Sequence, residues 1–312
     1  MQITALANGL GGRHLVRGLA NRLGPSSRLT VIGGTSEDIT LCGLRLCPDL
    51  DALSEILAPT IGGAPTYEVR AHLRHLGAAP EWYPIDDAEF ARAIVRSRDL
   101  AAGMTPSQII ASLLQAAQAD ERVTLLPMTD QPVETHVVVE DGDEMRALHV
   151  LDWVMRGGAQ PAPGHITAAG LAQARPAGGV LDAIRSADAV ALPLSAPVTG
   201  LGIMLGLPGL RDTLRGTSAP VVGVSPLLLP TRGDEMHTLA TLHLSFTSRD
   251  VSSLVSDVLD AYLVPAADVD DLKRVGALRN VRIIGVPATA EGLPDATALA
   301  DAVCQAAEEN RR

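Results

Sequence analysis

The stretch MQITALANGLGGRHLVRGLANRLGPSSRLTVIGGTSED, residues 1–38, decides how the rest of the chain is read. Met1–Leu6 is a short apolar run of strand type. Asn8-Gly9-Leu10-Gly11-Gly12 reads as a turn and Arg13–Leu23 as a helix. Leu29–Ile32 is a second strand, and it runs straight into Gly33-Gly34-Thr35-Ser36-Glu37-Asp38. A strand, a glycine-rich turn, a helix and another strand open a doubly wound α/β fold. Small residues in such a turn let backbone N–H groups approach an anion at the helix N-terminus. The acidic loops that follow, Glu37-Asp38 and Cys47-Pro48-Asp49-Leu50-Asp51, then face the same crevice. There, carboxylates can hold a divalent cation against phosphates or bind a ribose hydroxyl.

Outward from this unit, apolar strand-like runs alternate with helical patterns, which argues for a parallel sheet with crossover helices. Leu50–Leu57, Tyr67–Leu76, Ala88–Arg98 and Pro106–Ala119 read as helices, the last opened by Thr105 as N-cap and Pro106 in its first turn. Val123–Pro127 reads as a strand. Glu134–Glu140 and Arg146–Val150 read as a hairpin across Asp141-Gly142-Asp143-Glu144. Gly178–Ala187 reads as a helix. Ala189–Pro193 and Pro220–Val224 are all-apolar, as strands buried on both faces are. Leu207–Leu214 and Arg249–Tyr262 read as helices, the latter with Ser248 as N-cap. Val281–Val286 reads as a strand and Asp295–Asn310 as a closing helix. Loops 7–12, 33–38, 195–202 and 225–233 each follow an apolar strand. In open α/β sheets ligands bind outside the carboxyl ends of strands, so these loops are expected to meet at one site.

The chain has 312 residues, 46% of them hydrophobic, and a net charge of -11. That acidity disfavours nucleic acid or an anionic membrane as partner, because both need a basic footprint. A small phosphorylated ligand needs only a local anion site. Aromatic residues make up 2% of the chain, so the stacking platforms of single-strand binders are missing. Cys42, Cys47 and Cys304 form no disulfide framework or zinc spacing, which fits reduced thiols in the cytoplasm. No apolar run reaches the ~20 residues of a membrane span.

The motifs carry unequal weight. Gly9-Leu10-Gly11-Gly12 is neither a dinucleotide fingerprint nor a Walker loop, and it reads equally as a tight turn or a phosphate cradle. Arg13 lies in the first helical turn, where the dipole disfavours a cation unless an anion is near. Glu37, Asp38, Asp49 and Asp51 are oxygen ligands of the kind Mg²⁺ uses, although Asp49 reads equally as an N-cap. His136, His149 and Trp153 read as packed residues. No nucleophile elbow and no HExxH motif occurs.

These residues resemble the 2-phospho-L-lactate transferase family of coenzyme F(420) biosynthesis. The likeness runs collinearly over about residues 1–230: the opening Gly-x-Gly-Gly-Arg, Leu44-Arg45-Leu46-Cys47-Pro48-Asp49-Leu50-Asp51, and Leu125–Asp130 with Val133-Glu134-Thr135-His136. It continues through Pro176–Ile184, Ser195-x-Pro197-Val198, Pro208-Gly209-Leu210-Arg211 and Ala219–Pro226. Ser195-Ala196-Pro197 stands where the family has Ser-Asn-Pro, the family's Asn-Thr-Gly-Asp-Asp is Gly34-Thr35-Ser36-Glu37-Asp38, and residues 58–68 replace a longer loop.

The resemblance implies a single Rossmann-like α/β transferase domain over 1–312, mostly parallel in sheet, with a mainly helical insertion around 52–120. It implies transfer of a phospholactyl or enolpyruvyl-type group from a guanosine diphospho donor to the terminal hydroxyl of the deazaflavin Fo, with release of GMP. Carried over, Gly9, Gly11, Gly12, Arg13, Ser195, Pro197, Ser225 and Pro226 would hold the nucleotide. Asp38, Asp49 and Asp51 would hold Mg²⁺, with Asp38 and Asp51 catalytic and Arg232-Gly233 in place of a basic family loop. A homodimer is expected from the same likeness. Two other readings stay open: the same chemistry on another acceptor or donor, or a nucleotide-binding protein without turnover.

Overall fold

A computed structural model of the chain describes residues 1–78, 80–287 and 292–310. Strands form where the apolar runs lie: β1 (Gln2–Ala7), β2 (Arg28–Gly33), β3 (Ile39–Leu41), β4 (Leu44–Leu46), β5 (Val123–Pro127), β6 (Glu134–Asp141), β7 (Glu144–His149), β8 (His165–Ala169), β9 (Ala189–Pro193), β10 (Val221–Val224), β11 (Ala261–Pro265) and β12 (Arg282–Val286). Seven of them build one parallel sheet in the order β12-β11-β10-β9-β1-β2-β5. β3 and β4 pair as a small hairpin, and β7-β6-β8 form an antiparallel sheet of three strands. The chain grows outward from β1 to β2 and β5, then returns to the other side of β1 for β9 to β12. The order therefore reverses between β1 and β9, which makes that gap the topological switch point.

Both faces of the large sheet are covered, so its strands are apolar at nearly every position. Side chains alternate between faces along a strand. Ala5, Ala7, Val31, Val222, Val224 and Leu263 point into one core, against the helices Gly9–Asn21, Pro48–Leu57, Pro106–Ala116 and Ala296–Glu309. Leu6, Ile32, Val190, Leu192, Val221 and Tyr262 point into the other, beneath Val180–Arg185, Leu210–Gly216 and Glu235–Ala240. Each of the valine, leucine and isoleucine side chains among them, fully buried, is worth about 1.5–3 kcal/mol.

The α/β, mostly parallel architecture agrees with the sequence reading. Thr105 is the N-cap of the Pro106–Ala116 helix, as expected, and forms a full capping box with Gln108. Helices Glu68–His75 and Asp87–Ala101 precede it. Several elements differ. The first helix begins at Gly9, so the glycines form its opening turn instead of preceding it. Leu207–Leu214 is not one helix: Gly209, at φ +86, separates Ile203–Gly206 from Leu210–Gly216. Arg249–Tyr262 is corrected most. The helix stops at Ser252, Thr247 is its N-cap, and β11 begins at Ala261. Tyr262, Leu263 and Val264 are fully buried between two neighbouring strands, and that lateral pairing is invisible in a local pattern. The Val150–Gly157 helix and β8 are further elements that local spacing does not announce. Among the described residues no helix is long and apolar enough to cross a membrane.

Gly18 lets the first and last helices touch. A Cβ there would lie 1.8 Å from the carbonyl oxygen of Ala296. Gly→Ala inside an exposed helix stabilises by about 1 kcal/mol. Here Gly18→Ala must instead push the helices apart, and it is expected to lower unfolding free energy by about 1–3 kcal/mol in urea titration.

Candidate active site

The loops after β1, β2, β9 and β10 converge at the switch point, as the sequence implied. Gly9 takes φ +58, a left-handed conformation that only glycine adopts freely, and this turns the chain from β1 into the helix. The Gly11 N–H donates to Ser195 Oγ at 3.1 Å. A Cβ on Gly11 would sit 2.8 Å from Ser195 Cβ and 2.9 Å from Leu229 Cβ. A Cβ on Gly12 would sit 3.1 Å from the backbone of Ala7. Oriented to satisfy both ends of its amide, Asn8 donates to the Ser195 carbonyl at 3.1 Å and accepts from Leu201 N at 2.6 Å. Ser36 Oγ donates to the Thr199 carbonyl at 3.0 Å. Residues 197–202 form a π-turn, and Ala196 just before it is left-handed at φ 39. Such features cluster at functional sites.

The glycine-rich turn does not present an empty cradle. The Gly9 N–H donates to Asp49 Oδ1 at 3.0 Å, and Gly12 N donates to the Asn8 carbonyl at 3.1 Å. Asp49 thus supplies the negative charge that the helix dipole attracts. Its Oδ1 also accepts from Arg13 at 3.2 Å, so the anion that Arg13 called for is within the chain. Burial, and Glu37 nearby, push the Asp49 carboxyl above its usual range, while Arg13 and Arg232 pull it back.

Above this anchor lies a cleft of about 300 Å³ lined by Gly9, Arg13, Glu37, Asp51, Glu89 and Arg232 among others. Its acids are mostly held by arginines. Glu37 pairs with Arg232 at 2.7 Å, and Arg232 also holds Asp234 at 3.0 Å. Asp51 pairs with Arg96 and, at 3.6 Å, with Arg92. Arg92 further holds Glu55 at 2.7 Å. Asp38 lies in a separate cavity of about 100 Å³ with Thr35, Arg45, Cys47 and Arg96. The Cys47 thiol donates to Asp38 Oδ2 at 3.0 Å, and Arg45 stands 3.9 Å away. Burial pushes Asp38 up to about 7, even though Arg45 and the Cys47 bond favour its charge. The thiol is pushed well up by burial and by Asp38, so it stays protonated.

The expected ligand trio is not gathered. Among the described residues no group of three or more His, Cys, Asp or Glu is arranged to hold a metal. Asp49 Oδ1 is committed to Gly9 and Arg13. Asp38 Oδ1 and Asp51 Oδ2, however, are buried without a hydrogen-bond partner. Each is a donor of the kind Mg²⁺ takes, which needs only one or two carboxylates beside water and substrate phosphates, but the two residues line different cavities.

The other sequence-derived residues fall elsewhere. Ser195 is buried and hydrogen-bonded to Gly11 N–H, and Pro197 lines a different, apolar pocket of about 280 Å³. Ser225 Oγ is hydrogen-bonded to Ser248 Oγ at 2.8 Å and caps the turn at Pro226, so neither residue reaches the cleft. His149 is structural, as read: its Nδ1 accepts from Leu151 N at 3.2 Å and its Nε2 faces the Asp38 carbonyl at 3.3 Å. Arg45, Tyr83, Glu89, Arg92 and Arg96 escaped the sequence reading. One signal was there: Arg92 and Arg96 stand one helical turn apart beside Phe90 and Ala93, on a face that a helix normally buries.

Asp38 gives a pH test. Its folded value, about 7, lies above the ordinary carboxylate value near 3.9. Its contribution to stability is therefore complete below about pH 4 and is lost as pH rises through about 7. Relative to wild type, Asp38→Asn is expected to gain stability steadily across that window in denaturant titrations. A difference that does not vary with pH would remove the raised value.

The 2-phospho-L-lactate transferase CofD family model matches residues 3–280. A phosphoenolpyruvate transferase from Kitasatospora aureofaciens is 38% identical over 97% of this chain and 99% of its own length. Another, from Thermobifida fusca, is 41% identical over 86% of this chain and 88% of its own. A UPF0052 family protein from Bacillus halodurans shares the fold, with TM-score 0.65 at 16% identity over 97% of this chain and 98% of that one. With the family match spanning nearly the whole α/β chain, the protein is a transferase and belongs to the 2-phospho-L-lactate transferase family.

Proposed function

We propose that this enzyme moves a phosphoenolpyruvyl group from a guanosine diphospho donor to the terminal hydroxyl of the deazaflavin alcohol Fo. The acceptor oxygen attacks the donor's β-phosphorus. A new P–O bond forms, the anhydride P–O bond breaks, its electron pair leaves on GMP, and the hydroxyl proton is released. The acyl group is taken from the printed names of the relatives that match most of this chain. One observation of the site carries the reading: a cleft at the sheet's switch point lined by Arg13, Arg92 and Arg232, with Asp51, whose buried Oδ2 has no hydrogen-bond partner, in its wall.

Phosphoryl-type transfer is mostly positioning and neutralisation of charge, and the cleft suits both. Arg13, Arg92 and Arg232 line it and are already oriented by Asp49, Glu55 and Glu37. A diphosphate entering there exchanges those partners or shares them. Asp51, in the cleft wall, would hold the Mg²⁺ that neutralises the diphosphate, and Asp38 would hold Mg²⁺ in its own cavity. Asp49 serves the turn below and keeps Arg13 in place.

The test is incubation with Fo, donor and Mg²⁺ while GMP release is followed. No GMP and no Fo adduct from the wild type would end the assignment, and turnover on another alcohol would move it to that acceptor. Asp38→Asn is expected to lower turnover roughly tenfold or more, and unchanged turnover would refute a ligand role. Because a ligand carboxyl must shed its proton, Mn²⁺ affinity is expected to rise with pH up to about 7 and then level off, as titrated by electron paramagnetic resonance.

A further inference from the structure

The acceptor hydroxyl must lose a proton, and the cleft offers several carboxylates. Most are tied to a guanidinium: Asp51 to Arg92 and Arg96, Glu55 to Arg92, Glu37 to Arg232, and Asp49 below them to Arg13. An arginine beside a carboxylate stabilises its charge and makes it a poorer base. Asp86 is spent as an N-cap, accepting from the Glu89 N–H at 2.7 Å. Glu89 is different. Its Oε1 accepts from the Tyr83 hydroxyl at 2.8 Å, a neutral donor. Tyr83 is 7% exposed and both residues line the cleft, so this contact is a built feature of the wall and not a surface encounter.

On the reading proposed above, we propose that Glu89 takes the proton from the acceptor hydroxyl and that Tyr83 holds its carboxylate in position. The O–H bond breaks as the O–P bond forms. The proton passes to Glu89, the hydroxyl's electron pair goes to phosphorus, and the anhydride pair leaves with GMP. Tyr83 remains protonated: burial and Glu89 push its hydroxyl well above the usual phenol range. Burial also lifts Glu89 to about 7, against the pull of the Tyr83 hydrogen bond and of Arg92, with Asp51 and Asp86 adding to the rise. A base suited to neutral pH has this value. The pair comes from the helical segment between the Pro48–Leu57 helix and β5, so the insertion contributes chemistry to the crevice that the parallel sheet builds.

The experiment compares wild type, Glu89→Gln, Glu89→Asp and Tyr83→Phe in the GMP-release assay across pH, with donor binding followed by calorimetry. Glu89→Gln is expected to lower kcat by about 100-fold or more with little change in donor affinity. At saturating Mg²⁺, where Asp38 no longer limits metal binding, the rise of kcat through about pH 7 should vanish with it. Glu89→Asp should recover part of the rate, and Tyr83→Phe should lower kcat less and move the midpoint of the rise. Glu89→Gln turning over within about tenfold of wild type would overturn the assignment. So would Glu89→Asp as inactive as Glu89→Gln while binding donor normally. A wild type that transfers nothing would overturn the proposed function as well, whereas an active wild type with an active Glu89→Gln would sink only the role of Glu89.

Discussion

The close approach of two loops at the switch point is the constraint on which the structure rests. The chain leaving β1 and the chain leaving β9 come within hydrogen-bonding distance, through Gly11 to Ser195 and through Asn8 to both Ser195 and Leu201. That approach has no room for a Cβ at Gly11. At Gly200 there is even less, since a Cβ would meet the Asn8 amide at 1.6 Å. The glycines of the opening motif are therefore explained by packing before any ligand is considered. Because the strands beneath are parallel and fully buried, these loops cannot slide apart without breaking the ladder of the sheet. The cleft above them inherits that rigidity.

Charge in this site is managed by pairing. An isolated buried carboxylate is costly, and removing one partner of a buried pair costs about 3–5 kcal/mol. Here the buried Asp49, Asp51 and Glu37, and the partly exposed Glu55, each have an arginine, drawn from three different segments of the chain. The net charge of -11 thus conceals a site with several oriented cations. This is why an acidic protein can still offer a diphosphate a place: the arginines are ordered in advance, and an incoming anion does not have to order them. Asp38 is the least compensated, and its cavity with Thr35 keeps two polar atoms without a partner, Asp38 Oδ1 and Thr35 Oγ1.

The helical region after the Pro48–Leu57 helix was legible as helices, but its contribution to the site was not. Spacing identified a helix over Pro106–Ala119 with Thr105 as its N-cap, and the structure ends it at Ala116 and adds the capping box. For the segment that folds as Asp87–Ala101 the same pattern marked a helix over Ala88–Arg98 and assigned its arginines no role. Arg92 and Arg96 are instead buried, because Asp51 and Glu55 from another helix wait for them. Tyr83 and Glu89 are six residues apart in sequence, and nothing in that spacing indicates a shared wall.

By itself the sequence determined the α/β class, the strands β1, β2, β5, β9, β10 and β12, the meeting of four loops at their ends, and the family. Each of these is encoded by local periodicity, by turn chemistry or by contiguous motifs. Only the tertiary structure decided that β11 is a strand, since its pairing partners β10 and β12 are remote in sequence. It also decided that the first-turn glycines and Asp49 satisfy one another and that Asp38 and Asp51 face different cavities. The reason is physical: which carboxylate meets which arginine, and how much water remains between them, depends on distances across the fold that no run of neighbouring residues records.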